Sequence, residues 1–129
     1  MATLEKAIEI AARAHAGQVD KAGQPYILHP LRLMLNVKSI HERMAAVLHD
    51  VVEDTLVTLD ELRAEGFPSE VIDAVHALTK TKGESRLSAA QRAAVNPVAR
   101  VVKLADLADN MDLSRIPQPT EWDYARMKE

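Results

Sequence analysis

The chain predicts an all-α fold, a compact single domain of about seven or eight helices spanning residues 1–129. Three observations carry this. Apolar residues recur at spacings of three and four nearly throughout, as one face of an α-helix requires. No segment alternates β-branched and polar residues in the manner of a half-wet strand. Helix start and stop signals follow one another closely along the chain.

Thr3 is placed to cap a first helix whose apolar positions include Leu4, Ala7, Ile8, Ala11 and Ala12, with Gly17 as its stop. Residues 18–28 contain Gly23 and Pro25 and read as a loop. Pro30 suits the first position of a second helix carrying Leu31, Met34 and Leu35. A third helix is expected from Ile40 or His41 to Val52. Thr58 with Glu61 matches a capping box, and Gly66 ends that short helix. Pro68 opens a helix to about Leu78, and the polar run 80–86 breaks the pattern. A short helix follows from about Leu87 to Val95. Asn96-Pro97 then starts a helix carrying Val98, Val101, Val102, Ala105 and Ala108. Pro117 and Pro119 end the ordered run, with a last helical turn or two from Thr120.

Composition narrows the function. A chain of 129 residues buries roughly two thirds of its unfolded surface, enough for one core without covalent staples. The absence of cysteine excludes disulfides, thiolate zinc sites and cysteine nucleophiles. A net charge of −3 argues against a broad basic surface for nucleic acid. Aromatic residues at 3% leave almost no platform on which bases could stack. No apolar run approaches the roughly 20 residues of a membrane span, and no secretory signal is visible. The expectation is a cytoplasmic protein without membrane or nucleic-acid partners.

The chemistry concentrates in His49-Asp50-Val51-Val52-Glu53-Asp54. On one continuous helix His49 lies above Glu53 and Asp50 above Asp54. Neighbouring residues point about 100° apart, so His49 and Asp50 would share an ion only at the edge between their faces. The apolar run Met44–Leu48 predicts burial, and a buried charge without a partner costs several kcal/mol. A metal ion is one way to satisfy such a pair. Taken singly, the plain alternatives stand: a chance His-Asp dipeptide, and a solvated Glu-Asp pair at a helix end. His29 alone reads as a helix-start or partly exposed residue. Asp106 and Asn110 share a face, with Lys103 one turn earlier, and alone read as a solvated acidic face. Tyr26 is the aromatic best placed to line a pocket, with packing under the loop as the alternative. His15 falls near the end of the first helix, where a cation suits the dipole. His41 and His76 read as surface or packing residues.

Together these residues give the order His29 … His49-Asp50 … Asp106, which resembles the ligand order of HD-domain phosphohydrolases. The resemblance extends to Gly17-Gln18, to Lys21-Ala22-Gly23-Gln24-Pro25-Tyr26-Ile27-Leu28-His29-Pro30, and to Leu48 through Thr55. It also takes in Leu78-Thr79-Lys80, Lys103-Leu104-Ala105-Asp106 and Asn110-Met111. From about Ala12 to Asn110 the chain is similar to the hydrolase domain of the RelA/SpoT family, whose short members are the small alarmone hydrolases. The resemblance implies an HD fold holding one Mn²⁺, with His29, His49, Asp50 and Asp106 as ligands. It implies that Glu53 and Asp54 activate the attacking water and that Asn110 contacts a nucleotide. Lys21 and Lys80 are candidates to meet its phosphates. The implied reaction releases pyrophosphate from the 3′ position of (p)ppGpp. It needs no nucleophilic side chain, in keeping with a chain that lacks cysteine.

The chain departs from the family pattern at four positions. Asp20 stands where a basic residue is usual. Leu107, Asp109 and Asp112 replace an arginine, a histidine and an arginine. The expected pocket is less positive than an alarmone site, with Lys82, Arg86, Arg100 and Arg115 available to compensate. Two alternatives follow. One is an HD hydrolase of another nucleotide, such as (p)ppApp, or of a simpler phosphate ester. The other is a non-catalytic metal- or nucleotide-binding module.

Overall fold

Capping residues set most of the helix boundaries. The computed structural model describes residues 2–111, where eight helices form: α1 (Leu4–Ala14), α2 (Leu28–Leu35), α3 (Ile40–Leu48), α4 (Val51–Asp54), α5 (Leu59–Ala64), α6 (Ser69–Leu78), α7 (Arg86–Ala94) and α8 (Pro97–Asn110). The side chains of Thr3, Thr58 and Asn96 accept the backbone N–H of Lys6, Glu61 and Ala99, each satisfying a donor that the helix start leaves open. The complete reciprocal capping box lies elsewhere, between Ser39 and Glu42 at the start of α3. Gly17 and Gly66 follow α1 and α5 at φ of +85° and +92°, the left-handed geometry that ends a helix at little cost.

Two boundaries differ from expectation. α2 begins at Leu28, two residues before Pro30. The turns that link Leu28 to Pro25 and His29 to Tyr26 lead directly into it. Pro30 still sits in the first turn, where a missing N–H breaks no helical bond. The third helix does not run to Val52. It stops at Leu48, and the short α4 begins at Val51.

α3 is the centre of the fold and packs against α1, α2, α6 and α8. Its residues Ala45, Ala46, Val47 and Leu48 are wholly buried. Small residues on both sides let α1 lie close, through Ala7 and Ala11. Leu33 of α2, Val71 and Val75 of α6, and Val102 of α8 complete the core around it. Each such side chain contributes about 1.5–3 kcal/mol by leaving water. This packing brings the loop before α2, the α3–α4 junction and the C-terminal half of α8 together.

The one extended pairing among the described residues is a bridge between Val19 and Pro25. It closes a tight turn over residues 20–24. No helix among the described residues is long and apolar enough to cross a membrane. Pro117, Pro119, Thr120, Trp122 and Tyr124 lie outside the described residues, as do Asp112 and Arg115.

Candidate metal centre

The break between α3 and α4 makes the site. His49 ends α3, and Asp50 leaves helical geometry at φ −104°, ψ 0°. The His49 Nδ1–H donates to the Ala46 carbonyl at 2.8 Å. That bond fixes the ring and turns Nε2 toward the interior. Asp50, freed from the helical repeat, places Oδ2 2.9 Å from His49 Nε2. The two residues therefore face each other, where an unbroken helix would have splayed them.

α2 and α8 supply the rest. His29 Nε2 lies 2.8 Å from Asp106 Oδ1, and His49 Nε2 lies 3.6 Å from the same oxygen. The two imidazole rings meet edge to face, 5.3 Å apart. His29, His49 and Asp50 each offer a ligand atom within 4.8 Å of the others. The Tyr26 hydroxyl donates to Asp50 Oδ2. The Asn110 amide donates to Asp106 Oδ1 at 3.2 Å, and Lys103 Nζ lies 3.9 Å from Asp106 Oδ2.

The cluster fits a divalent cation. His49 is 3% exposed, yet its Nε2 is too oblique to Asp50 and too far from Asp106 for a hydrogen bond. Its Nδ1 already carries the proton given to Ala46. A neutral ring would turn an Nε2 lone pair against two carboxylates, so a proton or a cation must sit between them. Adjacent ligands of an octahedral ion bound at about 2.1 Å stand roughly 3 Å apart. The 2.8 and 3.6 Å separations bracket that distance. Two imidazoles and two carboxylates suit a borderline-to-hard ion.

The same charges shape the titration of the site. Burial alone would lower the His49 pKa, but the carboxylates of Asp50 and Asp106 hold it up to about 10. Burial would raise both aspartates as well. The imidazole of His49, with the Tyr26 hydroxyl, holds Asp50 low, and His29 and His49 hold Asp106 well below the usual carboxylate range. Burial pushes the Tyr26 hydroxyl far up, and Asp50 adds to the effect. Asp54, at the exposed rim, is raised by partial desolvation of its carboxylate and then by the charges of Asp50 and Glu53. A raised histidine stabilises the fold below its unfolded value of 6.5 and loses that contribution as pH climbs toward 10. Chelator-treated protein is therefore expected to lose stability steadily across that window, read by urea unfolding at each pH. Flat or rising stability there would refute the buried His49 charge.

The remaining predicted residues take varied places. Glu53 and Asp54 are exposed at the rim of the cluster, and Asp50, Glu53 and Asp54 bring carboxylate oxygens within 4.8 Å of one another. Glu53 Oε1 accepts the backbone N–H of Lys80 at 2.7 Å, which ties α4 to the segment after α6. Arg92 holds that segment from the other side through the Thr79 carbonyl and Glu84. Lys21 and Lys80 are exposed, as are Lys82, Arg86 and Arg100. Asp20 serves its own turn, its carboxylate accepting the N–H groups of Ala22 and Gln24. His15 caps the C-terminal end of α1, as its place in the sequence implies, and is buried at 2% exposure. Its ring lies 4.8 Å from that of Tyr26, and its Nδ1 is 2.9 Å from Gln18 Oε1. Nothing in the local sequence distinguishes it from His41 or His76. Asp109, read from sequence as lost positive charge, is buried against His29 and Arg32.

Fold and site thus define a helical domain whose core brings two histidines and two aspartates together, among them a His29, His49 and Asp50 group that could hold a divalent cation. The chain belongs to the HD domain family, whose model matches residues 7–115. Among curated proteins it is 37% identical to the human guanosine-3′,5′-bis(diphosphate) 3′-pyrophosphohydrolase MESH1, over 99% of this chain and 78% of that one. It is also 37% identical to a GTP pyrophosphokinase of Myxococcus xanthus, over 84% of this chain but 16% of that protein. The Haemophilus influenzae guanosine-3′,5′-bis(diphosphate) 3′-pyrophosphohydrolase is 37% identical over 79% of this chain and 17% of its own length. The chain thus spans about a sixth of those long relatives. A solved structure described as a metazoan ortholog of SpoT that hydrolyses ppGpp superposes with a TM-score of 0.77 at 26% identity. That superposition covers 99% of this chain and 79% of the other.

Proposed function

We propose that this chain is a Mn²⁺-dependent hydrolase that releases pyrophosphate from the 3′ position of (p)ppGpp. The observation that carries the reading is the joining of two features around the α3–α4 break: His29, His49 and Asp50 gathered with Asp106, and the Glu53-Asp54 pair one turn beyond Asp50. A pure binding site has no use for that second pair. The likeness to MESH1 over nearly the whole chain, and the resemblance of the ligand order, support the substrate. The match of residues 7–115 supports reading 1–129 as one domain. A cytoplasmic location and a free nucleotide as partner, with no nucleic acid or membrane, accord with the charge and composition.

His29, His49, Asp50 and Asp106 would hold the ion, which supplies Lewis-acid stabilisation of the phosphoryl oxygens and acidifies water. The protein's own groups do the rest. Glu53 takes the proton from the attacking water, whose oxygen joins the departing pyrophosphate. The 3′ oxygen of the ribose leaves as a hydroxyl after gaining a proton. Asp54, with its raised pKa, is suited to carry that proton. The Lys80 N–H occupies one oxygen of Glu53 and so orients the other. Tyr26 holds Asp50 in place, and Asn110 stands beside Asp106 where a nucleotide would approach. Lys21 and Lys80 offer mobile cations to the phosphates.

The test is a turnover assay with Mn²⁺ on (p)ppGpp, (p)ppApp and ordinary nucleotides, separating released pyrophosphate from released phosphate. Pyrophosphate from (p)ppGpp is the expected result. Cleavage of another member of the panel alone would mean that the pocket was re-aimed. The exposed apolar Leu107, where the family pattern has arginine, is the feature that favours this second outcome. No cleavage of any member by metal-loaded protein would leave the binding-module reading.

A further inference from the structure

The Nδ1 face of His29 carries a second arrangement that the reaction scheme leaves unused. Nδ1 lies 2.5 Å from Asp109 Oδ2. Asp109 in turn accepts two bonds from one guanidinium, from Arg32 Nε at 2.8 Å and from Nη2 at 3.0 Å. The Asp109 side chain is 7% exposed, so its charge depends on that fork for compensation. The three groups come from α2 and α8, one turn from His29 on one side and three residues from Asp106 on the other.

We infer that Asp109, aimed by Arg32, is a positioning residue that holds His29 with its proton on Nδ1 and its Nε2 lone pair turned toward the ion site. This rests on the metal site proposed above. Both ring nitrogens face carboxylates, which only accept; an ion between Nε2 and Asp106 would take the Nε2 lone pair, and the single ring proton is then left on Nδ1 to donate to Asp109. Nε2, facing Asp106, is left as the ligand atom. A carboxylate behind a ligating imidazole also fixes its tautomer and ring orientation. Charge supports the same reading. Arg32 cancels Asp109, so the site proper keeps the two negative charges of Asp50 and Asp106, which a divalent ion matches. The histidine of the family pattern at position 109 could not offer a carboxylate to Nδ1. Here Asp109 and Arg32 replace it with a neutral pair.

The experiment uses the full chain with Mn²⁺ alone, titrated by calorimetry, and with Zn²⁺ as a diamagnetic probe for long-range nitrogen–proton NMR of the histidine rings. Wild type is expected to bind Mn²⁺ and to show the Zn²⁺-loaded His29 ring protonated on Nδ1. Asp109→Asn keeps the shape and an acceptor oxygen but loses the charge. It should weaken Mn²⁺ about 10–100-fold and let the His29 proton exchange freely. Wild-type affinity in Asp109→Asn, with a lowered melting temperature, would reduce Asp109 to a packing role and overturn the inference. If that variant does not fold, the wild-type spectrum decides: His29 protonated on Nε2 overturns the inference. Wild type that binds no Mn²⁺ would remove the metal site itself, a failure distinct from either.

Discussion

Asp50→Ala is expected to abolish both Mn²⁺ binding and pyrophosphate release. Asp50 is the acceptor of the Tyr26 hydroxyl, the charge opposite His49 Nε2 and a proposed ligand at once. Several kcal/mol of transition-state stabilisation depend on a correctly held ion. At about 1.4 kcal/mol per tenfold, turnover should fall at least about 10³-fold. The variant should keep its helical circular dichroism, because Asp50 lies in the break between α3 and α4 and makes no helical cap with its side chain. Metal titration and initial rates on the same sample check it. Turnover within tenfold of wild type would take Asp50 out of the site.

Glu53→Gln separates chemistry from binding. The amide still offers an oxygen to the Lys80 N–H, so the tie between α4 and the following segment persists. The side chain is exposed and outside the ligand set proposed here, so Mn²⁺ affinity should stay within about threefold. The group can no longer accept a proton from water. Loss of a positioned general base costs about 10²–10⁴ in rate. A variant with normal metal binding and a rate reduced by that range is the expected result. An unchanged rate would assign water activation to Asp54 or to no side chain.

The helical class and most helix starts were legible in the sequence because capping is local chemistry. Thr3, Thr58 and Asn96 each act on a residue three positions away. The four residues His29, His49, Asp50 and Asp106 were legible only in combination, through their order. The break at His49-Asp50 was not legible. Apolar spacing continues from Met44 past Val51, and local propensity carries no sign of a stop. What ends α3 is the ring of His49 bonding back to Ala46, with carboxylates from Asp50 and distant α8 drawing its other nitrogen inward. The partners of Asp109 were hidden for a related reason. Its charge is visible in the chain, but the guanidinium that cancels it lies 77 residues earlier. Asp20 looked like a reversed charge in a pocket, and its carboxylate is engaged by its own turn.

The spread of the four donors along the chain has a consequence for synthesis. His29 lies near the start, His49 and Asp50 in the middle, and Asp106 77 residues after His29. A nascent chain that has emerged only as far as α7 holds three of the four donors, with His29 lacking both of its carboxylate partners. Docking of α8 supplies Asp106 and Asp109 together. Competence for the proposed chemistry thus waits on the docking of α8, which completes the cluster in one step.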